Sequence, residues 1–220
     1  MTTGRNVVIV LIMLDFPNRD RLAERREATR QEILAAAWEA ARESGLAQLT
    51  LREVATRIGM RAPSLYSHFA SKNAIYDAMY EQAWRQFLAQ AGWTAGSLPR
   101  EPRARLAAIA VNYFDFAVSD LPRHQIMDVR TIPDFTPSAG AYAAAVECFD
   151  GMRAELAVIG VTEDADIDLF TALIGGLIEQ QLANDPGGDR WRRQLSRVIG
   201  MFSDEVGLPP APTGRTRKRP

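Results

Sequence analysis

The chain has 220 residues, 47% of them hydrophobic, with one cysteine and a formal net charge of −1. That length holds one small recognition module plus one core-forming domain and little else. The lone thiol, Cys148, excludes an internal disulfide framework, suits a reducing cytoplasm and is expected to pack as a small hydrophobe. The net charge hides an uneven distribution: residues 19–73 carry ten Lys or Arg against seven Asp or Glu, whereas residues 74–214 carry eleven against nineteen. Four more cations, Arg215, Arg217, Lys218 and Arg219, close the chain. A basic end would face phosphate and an acidic body would not, although a solvated surface would account for the same small surplus.

In chain order, the first feature is the apolar run from Val7 to Leu14. Eight apolar residues are too few for a membrane span, which needs roughly 20, and no small-residue cleavage site follows before the charged run from Arg19 to Arg30. Residues 1–18 therefore read as an extension outside the fold, with a natural start at Met13, or as a strand-like segment packing locally.

Thr50 to Lys72 is the most informative stretch. Leu51, Val54, Ala55 and Ile58 recur at helical spacing and form one apolar stripe, with Thr50 and Glu53 as a capping box at its start. Gly59 follows where the backbone must turn sharply. A second short helix starts near Pro63, which a first turn tolerates, and runs to about Phe69 with Leu65 inward. Arg61, Ser64, Tyr66, Ser67 and His68 are left outside. Ser71 caps a further helix beginning at Lys72, a start that phosphates favour. A helix, a glycine turn and a second helix with a basic and aromatic surface is a way of reading DNA.

From Thr29 to about Met79 the chain resembles the DNA-binding domain of the TetR family of bacterial transcription regulators. TRQEILAAAWEAARESG corresponds to its first helix, LTLREVATRIGM to its second, and RAPSLYSHFASKNAIYDAM to the recognition helix and the start of the fourth. LYSHFASK, in register with Ala55 and Gly59, is the most specific string. Residues 18–28 would be a charged arm or helix before the first family helix, touching the adjacent minor groove.

The rest of the chain reads as helices: 73–90 as a long connector ended near Gly92, then 103–118, 122–129, 139–159, 165–183 and 191–206. The stretch 131–140 reads as a loop and NDPGGD as a turn. The expected fold class is all-α: a helix-turn-helix DNA-binding domain at 19–73, an all-helical effector-binding and dimerisation domain at 74–207, and a disordered basic tail at 208–220. Leu169, Leu173, Gly176 and Leu177 on the penultimate helix, and Leu195, Val198, Ile199 and Phe202 on the last, form stripes that face either a partner or their own core. The resemblance implies that these two helices pair about a twofold axis, so a homodimer is expected.

A twofold dimer sets two recognition helices about one duplex turn apart, or a modest multiple, and so reads a palindrome. Arg61, Ala62, Pro63 and Ser64 are placed near base edges, with Arg61 able to grip guanine and the carbons of Ala62 and Pro63 able to meet a thymine methyl. Thr50, Tyr66, Ser67, His68 and Lys72 are assigned to phosphates. His68 and Tyr66 also have packing readings, and Arg61 that of a solvated turn residue.

The resemblance further implies a small-molecule effector and a repressor released by it; the alternatives are a DNA-binding dimer without such an effector and an all-α binding or enzymatic protein whose helix-turn-helix is only structural. Candidate walls of its pocket are Trp84, Phe87, Tyr113, Phe116, Met127, Phe135, Tyr142, Phe149 and Phe170, each equally a core residue by spacing. His124, Glu179 and Gln180 are its candidate polar contacts, and composition suggests an apolar or aromatic effector. Catalysis is disfavoured: the chain's two histidines, His68 and His124, lie in no metal-ligand spacing, and neither a phosphate loop nor a nucleophile elbow occurs. Asp164, Asp166 and Asp168 lack the Gly and terminal Glu of a calcium loop. No metal, cofactor or membrane association is expected.

Overall fold

A computed structural model describes residues 21–93 and 96–210. The run at 7–14, the first residues of the expected arm and the basic tail from 211 lie outside the described residues. Within them the chain forms helices and two short 3-10 turns: α1 Arg21–Ser44, α2 Leu51–Arg57, α3 Ala62–Leu65, α4 Lys72–Ala91, α5 Pro102–Val118, α6 Leu121–Asp128, α7 Ala139–Val158, α8 Asp164–Asn184 and α9 Leu195–Glu205. No strand occurs among the described residues. No helix of the described part is long and apolar enough to cross a membrane.

Helix α1 buries Ile33, Leu34, Ala37 and Ala41 along one stripe and is alanine-rich, the best helix-forming composition. It is longer than expected. Residues 21–28 form its first turns rather than a separate arm, and they clasp the segment after α3: Arg26 donates to the Ser67 carbonyl at 3.0 Å and Arg30 to that of His68. Gly45, at φ 85°, turns the chain out of α1 in a conformation that a side chain would strain.

Thr50 accepts from the Glu53 amide at 3.2 Å, so half of the expected capping box forms. Glu53 does not reach back. Its carboxylate lies 2.8 Å from Arg57, which also meets Glu43 of α1, because a guanidinium competes better for a carboxylate than a backbone amide does. Gly59, at φ 67°, makes the turn. Helix α3 is shorter than expected: its α-helical part ends at Leu65, and residues 66–68 continue through hydrogen bonds that span three residues.

Ser71 caps α4, accepting from the Ala74 amide at 3.1 Å, and Gly92, left-handed at φ 73°, ends it. The expected boundary at 73/74 thus falls in the first turn of one continuous helix. Two cores flank it. One gathers α1, α2, α3 and α4 with Phe116, Ile126, Met127 and the α7 residues Ala141, Ala144, Ala145 and Cys148. The other joins α5, α8 and α9 around Leu106, Phe114, Ile174, Ile178 and Phe202.

Carboxylate and hydroxyl caps start the later helices: Glu101 accepts from Arg103 and Ala104 before α5, Asp120 from Arg123 before α6, and Ser138 from Ala141 before α7. Asp164 and Asp166 sit in the first turn of α8, where the helix dipole favours negative charge. The turn between α8 and α9 is stapled by buried Gln181, whose Oε1 accepts from the Trp191 amide at 2.9 Å. The expected tail boundary is corrected. Leu208 is buried and its carbonyl accepts from Arg103, so the packed chain continues past 207.

Candidate nucleic-acid interface and interior cavity

Leu65 and Phe69, both buried, root the short α3 segment in the amino-terminal core. Because the inward positions are apolar, the polar ones turn out. Arg61, Pro63, Ser64, Tyr66 and Ser67 are exposed together, with Tyr66 58% accessible. The Arg61 carbonyl accepts from the Ser64 amide at 2.8 Å, but its side chain has neither an ion pair nor a hydrogen-bond partner among the described residues, so its guanidinium is free. Ala62 is half-buried and packs partly against the core.

Thr50, exposed, uses an oxygen lone pair on its cap and keeps its O–H to donate outward. Ser67 donates to the Ser64 carbonyl at 2.7 Å. His68 is half-buried, its Nδ1 enclosed with no hydrogen-bond partner among the described residues. Lys72 holds its ammonium 5.3 Å from the Tyr76 ring centre. The Thr50 hydroxyl and the Lys72 ammonium, with the Arg61 guanidinium, offer the donors that phosphate oxygens and guanine edges accept from.

Between α4, α5, α6, α7 and α8 lies a cavity of about 250 Å³. Of the expected wall residues, Trp84, Phe87, Tyr113, Phe149 and Phe170 line it, as do His124 and Glu179. Others do not. Phe116 is buried in the core, whereas Met127, Phe135 and Tyr142 line a separate groove between α4 and the 129–138 loop. Gln180 accepts from Asn184 and is exposed, away from the cavity. Sequence reasoning missed Trp93, Asp128, Met152 and Ile174, and it missed that Cys148 also reaches the wall. Trp93 lies against Gly151, where a Cβ would come within 2.4 Å of the indole.

The polar end of the cavity is one connected network. His124, only 3% exposed, turns Nδ1 to Asp128 at 3.0 Å and Nε2 to Glu179 at 2.7 Å. Tyr113 donates its hydroxyl to the same Asp128 oxygen at 2.5 Å. Burial alone would lower the imidazole pKa. The hydrogen bonds to Asp128 and Glu179, with their negative charge, outweigh it and hold the pKa above the usual histidine value.

A stability prediction follows from that sign. A raised folded-state pKa contributes stability in full below the unfolded histidine pKa of about 6.5 and loses it as pH rises through the folded value. The melting temperature should therefore decline as pH rises from about 6.5, and His124→Gln should flatten that slope. Of the other groups near the ring, Tyr80 and Cys148 are pushed up to about 12 by burial and Tyr113 also lies well above its ordinary value, so none adds to this slope. An unchanged slope in the variant would refute the assignment.

The expected dimer face divides. On α8, Leu169 and Gly176 are exposed, whereas Leu173 and Leu177 are half-buried and pack against the core of Ile167, Phe170, Ile174 and Ile178. On α9, Leu195, Ile199 and Phe202 are buried in the protein's own core, which corrects their placement at an interface. Val198 is half-buried and Met201 is exposed.

Residues 33–79 match the family pattern described as bacterial regulatory proteins, tetR family. The tetracycline repressor protein class C of Escherichia coli is 38% identical over 52 residues, which span 24% of this chain and 24% of the repressor. The chain thus matches about a quarter of that curated relative's length. Among solved structures, a bacterial regulatory protein in the tetR family from Rhodococcus RHA1 aligns with TM-score 0.61 and 17% identity over 82% of this chain and 98% of its own. A transcriptional regulator of the TetR/AcrR family from Thermobifida fusca YX-ER1 aligns with TM-score 0.57 and 24% identity, over 78% and 96%. At these identities the structural likeness shows the shared fold.

Proposed function

We propose that this chain, a TetR-family transcriptional regulator by its amino-terminal domain, is a homodimeric repressor that leaves a palindromic operator when a small molecule fills the interior cavity. The observation that carries the DNA-reading role is the α3 surface. Arg61, Pro63 and Ser64 face outward from a segment rooted by Leu65, and Thr50 and Lys72 flank them with donors. Arg61 reads a base edge. Thr50, Tyr66, Ser67, His68 and Lys72 hold phosphates and set register.

The exposed Leu169 and Gly176 of α8, bordered by the half-buried Leu173 and Leu177 and accompanied by the exposed Met201 of α9, support pairing of two copies. Coupling runs through α6. Its cap residue Asp120 is gripped by Arg42 of α1 at 2.8 Å, while His124 and Asp128 lower on the same helix line the cavity. The loop after α6 sets Phe135 against Tyr76 of α4, ring centres 5.5 Å apart, and Tyr76 donates to the Leu46 carbonyl in the reading head. A ligand that displaces the His124 network shifts α6 and α4 together, and the two heads lose the spacing the operator requires.

The test is to recover genomic fragments bound at physiological salt, where nonspecific attraction is screened, and then to compare two variants on the recovered site. Arg61→Ala should relax preference at one base pair by roughly 1 to 3 kcal/mol. Lys72→Ala should weaken every duplex alike and reduce the salt slope by about one unit. Equal losses on all sequences from both variants would defeat this division of roles, and no enriched palindrome would defeat operator recognition.

A further inference from the structure

We infer that the interior cavity is built for a compact hydrophobic cation, an ammonium group carried on an aromatic or aliphatic body, with the Asp128 and Glu179 carboxylates as its counter-charge. This rests on the reading of the cavity as an effector site. Two carboxylates and one histidine line it, and among the described residues no Lys or Arg does. With His124 protonated the set still carries one net negative charge, and with it neutral, two.

The hydrogen-bond geometry leaves the same demand. His124 spends both ring nitrogens on Asp128 and Glu179, and Tyr113 spends its hydroxyl on Asp128, so neither is free to donate to an incoming anion. Asp128 Oδ1 and Glu179 Oε2, by contrast, have no hydrogen-bond partner among the described residues. A carboxylate ligand would meet two like charges with no uncommitted cation. A neutral apolar ligand would strip water from those oxygens and return no donor, which is unfavourable. An ammonium supplies the missing donors and charge.

The remaining wall fits the rest of such a molecule. Trp84, Phe87, Trp93, Tyr113, Phe149 and Phe170 surround the space, and aromatic faces attract cations as well as apolar bodies. At about 250 Å³ the cavity falls below the usual span of roughly 300 to 1,000 Å³ for drug-sized ligands, so the ligand is compact.

Three probes sharing one skeleton separate the alternatives: 4-phenylbutylamine, 4-phenylbutan-1-ol and 4-phenylbutanoate. Each is titrated into the full chain, with binding read by calorimetry and by quenching of the tryptophans on the wall. The amine should bind at least tenfold tighter than the alcohol, and the carboxylate most weakly. Glu179→Gln should shrink the amine-to-alcohol ratio several-fold while leaving the alcohol's affinity unchanged. Its side chain is 56% exposed, so this variant should fold. Asp128→Asn serves as a second variant with the same expected direction.

Alcohol or carboxylate binding as tight as the amine would overturn the assignment, as would a ratio untouched by both variants or no binding by any probe. The effector reading is scored separately, by whether a bound probe releases the recovered operator. Preferred amine binding without release would keep the ligand class and defeat the effector reading. Release by the carboxylate alone would do the reverse.

Discussion

Leu65→Ala should cost about 2 to 5 kcal/mol and abolish binding to the recovered operator. Leu65 is 1% exposed and is the buried residue of α3, a helix of four residues. Isolated helices shorter than about 12 to 15 residues are marginal in water, so α3 persists only because Leu65, and Phe69 just after it, dock onto α1 and α2. Removing the isopropyl group costs its transfer free energy and leaves a cavity that the surrounding helices fill only in part. Against a typical total stability of about 5 to 15 kcal/mol, that is a large share.

The surface residues Arg61, Ser64 and Tyr66 stay chemically intact in this variant, so a loss of DNA binding would show that their placement depends on the core. Leu121→Ala, at a position 48% exposed, should change stability by no more than about 0.5 kcal/mol and serves as the control. Thermal melting and fluorescence anisotropy on labelled operator read both effects. Wild-type affinity in folded Leu65→Ala protein would show that α3 does not read the DNA.

The helices of the described residues were largely legible because their signals are local. Thr50 and Ser71 sit at starts, Gly59 and Gly92 at stops, and each acts within a few residues of itself. What failed was what depends on partners distant in sequence. Glu53 forms no return cap because Arg57, one turn along its own helix and paired with Glu43 of α1, takes its carboxylate. Leu195, Ile199 and Phe202 show the same helical spacing whether they face a partner copy or α5 and α8, and spacing alone carries no direction.

The cavity illustrates the same limit. Composition picked out Trp84, Phe87, Tyr113, Phe149 and Phe170, but it also picked out Phe116, Met127, Phe135 and Tyr142, which fill core or groove. Trp93 gave no periodic signal, since it lies in the connection after α4, where only the missing side chain of Gly151 makes room for it. Asp128 was invisible because its significance comes from Tyr113, fifteen positions earlier, and from His124, whose other nitrogen is held by Glu179 on a helix far along the chain.

Phe87→Ala should be the most destabilising single truncation in the carboxy-terminal helical domain, at about 3 to 5 kcal/mol. Its ring is 3% exposed and meets Tyr113 at 5.0 Å and Trp93 at 5.5 Å edge-on, with Phe116 tilted at 5.1 Å. Each such pair adds roughly 0.5 to 1.5 kcal/mol beyond area burial, and three are lost at once. At roughly 2 to 4 °C per kcal/mol for a chain of this size, the melting temperature should fall by roughly 6 to 20 °C. Unlike Leu65, Phe87 already borders open space, so the vacated volume joins the cavity and neighbouring helices need not collapse to fill it. The damage should therefore be partly reversible by a ligand: an amine bearing a second ring should bind the variant tighter than wild type and restore part of the lost melting temperature, while 4-phenylbutylamine should restore less. Equal rescue by both amines would mean that the Phe87 ring does not bound the cavity, and unchanged melting would mean that it does not brace α4 against α5.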